Sequence, residues 1–162
     1  MAKSEYDCVE QFFLEEANLF LSETRLEDCV EVALKNAGQA LFWGCSVLDL
    51  HKRHGKYDAF LQNDSARDIV SGIRFARNRV AHNFFRLLKI TDGAAFPITL
   101  PTKFQEIRWK SIKELPLADP RFEKQERKGA ECFERSMENR PVRFALRDLV
   151  DYFARARSAL AL

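Results

Sequence analysis

SARDIVSGIRFARNRVAHNFFRLLK, residues 65–89, is the stretch on which the fold turns. At about 100° per residue, Ile69, Ile73, Ala76, Val80, Phe84 and Leu87 fall on one stripe, so the spacing predicts an amphipathic helix over 65–89 with that stripe against a core. Asp64 or Ser65 would cap its start, with Asp68 in the first turn. Arg74, Asn78, His82 and Arg86 step at i+4 along a second stripe roughly opposite, with Phe75, Ala81 and Phe85 beside or between them. A face that mixes Phe with Arg, Asn and His is too apolar for plain solvent and too polar for a core. Such faces occur at interfaces, where aromatic residues and Arg are enriched. Arg77 stands on the border between this face and the core stripe, and a partly buried Arg needs an anion or several acceptors. Arg74, Arg79 and Arg86, taken singly, are also what a solvated helix face carries.

The segments on either side repeat the helical period. Residues 4–22 place Val9, Phe12, Phe13, Leu19 and Phe20 at helical spacing behind a capping Ser4. Residues 26–52 turn Leu26, Val30, Ala33, Leu34, Ala37, Leu41, Val47 and Leu48 inward, and Gly38 and Gly44 allow a neighbouring helix to come close. HGKYDAFLQND, residues 54–64, breaks the pattern with a turn or a short helical piece. Two further helices are predicted over 121–138 and 141–160, the last with Pro141 in its first turn and Leu146, Leu149, Val150 and Phe153 on its apolar face. Between the helices, residues 91–120 carry Gly93, Pro97, Pro101, Pro116 and Pro120. FQEIRWKSI, residues 104–112, alternates as a half-buried strand does, with Ile107, Trp109 and Ile112 partly buried and FPITL, residues 96–100, as its partner. The expected fold is mainly α: a single domain over 1–162, an up-and-down helical bundle with a small β-hairpin or extended insertion around 91–120.

Composition narrows the function classes. A chain of 162 residues that is 46% hydrophobic, with fourteen Phe and only eleven Gly and Pro together, suits a globular domain and not a disordered one. No apolar run reaches the roughly 18 to 20 residues that a membrane span requires, so no membrane partner is expected. MAKSEYDCVEQFF carries acids where a signal peptide has bases, which makes a cytoplasmic location the expectation. Cys8, Cys29, Cys45 and Cys132 are scattered as free thiols in a reducing compartment would be. His51 and His54 have a chelating spacing, but no acid or cysteine completes a site, and they sit at a helix end where imidazole near the last carbonyls is common. Neither metal nor cofactor is expected. The net charge is +2, yet residues 1–33 sum to −7 and residues 65–90 to +5. Either the basic stretch attracts a polyanion or the acidic one packs beside it and neutralises it.

RNRVAH, Arg77–His82, resembles the Arg-polar-x-x-x-His signature of HEPN domains. Those are helical-bundle proteins that include metal-independent ribonucleases, many of them bacterial toxins or phage-defence effectors. Arg77, Asn78 and His82 match the signature position by position, while the 91–120 segment has no counterpart in the minimal fold. The resemblance implies a homodimer in which two copies of the motif face each other across a groove. On one helix, positions 77 and 82 would point about 140° apart, and a twofold axis would let two copies converge on one phosphodiester. The expected activity is RNA cleavage of a toxin–antitoxin or phage-defence type, with an antitoxin or a nucleotidyltransferase as a further partner. His82 would serve as general base or acid, Arg77 would stabilise charge on the phosphorane, and Asn78 would orient His82 or the phosphate. Arg74, Arg79 and Arg86 would hold the flanking RNA backbone. The competing expectation is a non-catalytic dimerisation or ligand-binding module, in which Arg77 and His82 hold an intramolecular carboxylate such as Glu27 or Glu31.

Overall fold

In the computed structural model, which describes residues 4–22, 30–80, 83–92, 105–117 and 126–161, six α-helices surround one apolar core. The first two helices, α1 (Glu5–Ser22) and α2 (Val30–Lys52), form an antiparallel hairpin. Ser4 caps α1 as expected: its Oγ accepts from the Asp7 amide at 3.1 Å. Gly44 seats the Phe13 ring, since a Cβ there would lie 3.3 Å from it and 3.4 Å from Leu149. The helix α3 (Tyr57–Asn63) is the short piece expected after the α2 terminus.

The helix α4 (Arg67–Val80) begins where the sequence places it, with Asp64 accepting from the Ala66 amide at 2.8 Å. It does not continue to residue 89. Asn83 has φ −89° and ψ 75°, outside the helical region, and a 3₁₀ turn (Phe84–Leu87) leads directly into strand β1 (Leu88–Asp92). The stripe survives this change of backbone: Val80, Phe84 and Leu87 are all buried, so the apolar spacing tracks the core rather than the helix. β1 pairs antiparallel with β2 (Gln105–Trp109), in the register Leu88 opposite Trp109 to Asp92 opposite Gln105. β1 therefore occupies the place expected for FPITL, which lies outside the described residues.

The hairpin is built into the core instead of resting on it. Ile107 and Trp109 are fully buried, not partly, and the indole meets the Phe133 ring edge-on at 5.9 Å. The Trp109 amide donates to the Arg140 carbonyl at 3.0 Å, which ties β2 to the turn between α5 (Glu126–Ser136) and α6 (Val142–Leu160). Pro141 is the residue before α6, not one within its first turn. Against α5, α4 approaches so closely that a Cβ on Gly72 would lie 3.1 Å from the Phe133 Cα, and 2.7 Å from the sulfur of Met137 just beyond α5. Leu146, Leu149 and Phe153 of α6 are buried as expected, with Phe153 edge-on to Phe13 at 4.8 Å.

Two expectations about faces change. On α1, Phe13, Ala17 and Phe20 are buried, but Phe12 and Leu19 are 45% and 54% exposed. On α4, Phe75 is buried rather than displayed, packed on Phe133 with ring centroids 5.6 Å apart, because α5 covers that side. The face expected to mediate dimerisation thus loses Phe75 and keeps Phe85, which is 45% exposed.

Candidate functional site

The C-terminal half of α4 carries Arg74, Arg77, Asn78 and Arg79, and the chain itself holds three of these side chains in place. Arg74 donates from Nη2 to the Leu48 carbonyl at 3.0 Å and lies over the Tyr57 ring at 5.0 Å. Arg79 donates from Nη1 to the Pro116 carbonyl at 3.0 Å and covers Phe75 at 5.0 Å. Both contacts hold a planar cation on an aromatic face while a carbonyl takes one of its donors. Asn78 is half-buried between them in sequence.

Arg77 pairs with Asp49 of α2, Nη1 to Oδ2 at 2.6 Å. Their side chains are 24% and 48% exposed, so this is a braced pair at the rim of the protein and not an interior one. A guanidinium has five donors, and a carboxylate contact through Nη1 leaves others for an anion approaching from solvent. One turn before Asp49 lies Cys45, buried beside the pair, and burial pushes its thiol up to about 12. A thiol held neutral in this way is not a nucleophile at neutral pH. Further back on α2, the Phe85 ring rests on Gly38, where a Cβ would come within 2.9 Å. Gly38 and Asp49 are eleven positions apart, about 16 Å along a helix. Arg77 and Phe85 thus mark two ends of one edge of α2.

His82 falls between those two residues in the chain and, with Ala81, lies outside the described residues. The expected angle between positions 77 and 82 on one helix therefore falls partly on residues that are not described: α4 is helical as far as Val80, and Asn83 is outside the helical region. Arg86 sits on the 3₁₀ turn, not on α4; its side chain is exposed, and its carbonyl accepts from Lys110 at 3.0 Å. The intramolecular carboxylate for Arg77 is Asp49, not Glu31, which is exposed; Glu27 lies outside the described residues. Asp49 was missed because it stands in an apolar run, VLDLH, with no local sign that it faces a helix nearly thirty residues on.

One other histidine, His51, belongs to the architecture. His51 is fully buried, stacked on Tyr6 at 5.3 Å, with Nε2 and the Tyr6 hydroxyl 2.9 Å apart. Tyr6 donates to Glu10 at 3.1 Å, and Glu10 accepts from Arg157, which also binds Asp7 at 2.7 Å. Burial, then the charges of Arg74 and His54, lowers the His51 imidazole to about 4. The three acids at the start of α1, Glu5, Asp7 and Glu10, are therefore met by Arg53, at 4.0 Å from Glu5, and by Arg157 of α6 rather than by the basic stretch of α4. Among the described residues no three His, Cys, Asp or Glu side chains are grouped to hold a metal, and no helix is long and apolar enough to cross a membrane. No protein-family model, curated protein or solved structure matches the chain.

Proposed function

We propose that the protein is a metal-independent endoribonuclease of a toxin–antitoxin or phage-defence type, acting as a homodimer through Arg77, Asn78 and His82. The observation that carries this reading is the brace on Arg77: Asp49 fixes the guanidinium at the rim, in the one stretch that matches the HEPN signature. A permanent cation so held suits the charge that builds on a phosphorane. His82 shuttles the proton between the 2′-hydroxyl and the departing 5′-oxygen, leaving a 2′,3′-cyclic phosphate. Arg86, exposed beside the site, contacts flanking RNA backbone; Arg74 and Arg79 already give donors to Leu48 and Pro116 and contribute mainly field. RNA is the substrate partner, and an antitoxin or nucleotidyltransferase would mask the site.

The same Arg77–Asp49 pair favours a second reading, a non-catalytic dimerisation or ligand-binding module in which Arg77 is purely structural. A panel of unrelated RNAs, incubated with partner-free protein in EDTA, separates the two. The nuclease cuts RNA, spares DNA of the same sequence, and slows steeply as salt screens phosphate contacts. A panel left whole assigns the protein to the second class.

A further inference from the structure

We propose that the outer seam of α1 and α2 docks a cationic amphipathic helix of a partner protein. Phe12 and Leu19, seven residues apart on one face of α1, remain about half exposed in a helix whose opposite face is fully buried. The Phe12 ring lies 4.9 Å from Trp43, and Trp43 lies 5.1 Å from Phe42, so the apolar surface continues onto α2. Val32, 49% exposed, stands eleven residues before Trp43 and therefore on the same side of α2. Beside Leu19 runs an open depression of about 560 Å³ lined by Glu15, Asn18, Leu19 and Ser22.

Charge identifies the occupant. α1 holds five acids and no Lys or Arg. The three at its start, Glu5, Asp7 and Glu10, meet Arg53 or Arg157. Among the described residues, Glu15 and Glu16 at the other end have no cation within ion-pair distance; Glu15 accepts only from Gln11, at 2.6 Å. Glu31, beside Val32, is likewise without one, and Lys35 one turn on stands outside that range. An apolar strip edged by carboxylates that have no cation partner among the described residues complements a helix with large apolar residues on one face and Lys or Arg along its borders. RNA is repelled by such an edge. A second copy related by a twofold axis sets the same carboxylates against each other.

The probe is a fluorescein-labelled synthetic helix of about 18 residues, Leu on one face and Lys on the other, followed by anisotropy. It is compared with the same peptide carrying Glu for Lys, and with one carrying Ser for Leu. Saturable one-to-one binding of the Leu/Lys peptide alone is expected. Phe12→Ser with Leu19→Ser should weaken it at least about tenfold, and Glu15→Gln with Glu16→Gln should weaken it at low salt. Phe144→Ser, at an equally exposed Phe on α6, should change nothing, and circular dichroism verifies that each variant is folded. No binding, or equal loss with Phe144→Ser, overturns the proposal. Self-association abolished by the Phe12/Leu19 variant gives the seam to a second copy instead and overturns it too.

Discussion

His51 and Arg77 are both basic side chains facing an acid-bearing neighbour, and the protein treats them in opposite ways. His51 is enclosed by Tyr6, Tyr152 and Phe153, and its one hydrogen bond leads through Tyr6 and Glu10 to Arg157. Arg77 stands at the rim, held by the half-exposed carboxylate of Asp49. The first arrangement uses polar groups to tie α1, α2 and α6 together at the cost of keeping an imidazole neutral. The second leaves a fixed cation in reach of solvent, which is what recognition of a phosphate requires. Burial and partner, more than residue type, separate the two.

The largest effect that would break this contrast is acid destabilisation. The folded-state pKa of His51 is about 4, below the ordinary 6.5, so the unfolded chain takes up the proton first. Stability from this group is complete above about 6.5 and is lost as pH falls toward 4, by about 3 kcal/mol in total. Urea unfolding across that window should show the loss in the unaltered protein and a flatter profile in His51→Phe. Parallel profiles would mean that the imidazole is not held neutral.

A smaller effect sharpens the comparison at the acids. Glu10→Ala removes a buried carboxylate that accepts from both Tyr6 and Arg157, and should cost about 2 kcal/mol. Arg77→Ala breaks a rim pair and should cost about 1 kcal/mol or less. Chemical denaturation that ranked Arg77→Ala as the more damaging would place that arginine in the architecture. The smallest change in stability is expected from Phe85→Asp, under about 1 kcal/mol, because the ring is half exposed on Gly38. The same substitution should shift light scattering from dimer to monomer. A monomeric unaltered protein at tens of micromolar would remove the composite site.

Much of the fold was legible because helical periodicity reports which side of a segment meets the core. Ser4, Asp64, Gly44 and the stripe from Ile73 to Leu87 all behave as their spacing implies. The end of α4 was not legible from that spacing, since Val80, Phe84 and Leu87 stay buried whether the backbone is α-helical or 3₁₀. The alternation Leu88, Lys89, Ile90, Thr91 was the available sign of a strand, and the helical period overrode it. At the site, Arg77 was placed correctly at the core border. Asp49 and the burial of Phe75 depend on which helices become neighbours, and a single segment's pattern carries no information about that.

RNA cleavage by Arg77 and His82 is the activity proposed for this protein. Its most direct test is the cleavage rate of one susceptible RNA by purified protein in EDTA, measured beside His82→Ala and Arg77→Ala with thermal midpoints for each. His82→Ala should lose about 10²- to 10⁴-fold or more of the rate with an unchanged midpoint. Arg77→Ala should show a comparable loss with a slightly lowered midpoint, and the products should end in a 2′,3′-cyclic phosphate. Equal cleavage by the unaltered and His82→Ala proteins, or none by either across a broad panel, would contradict it.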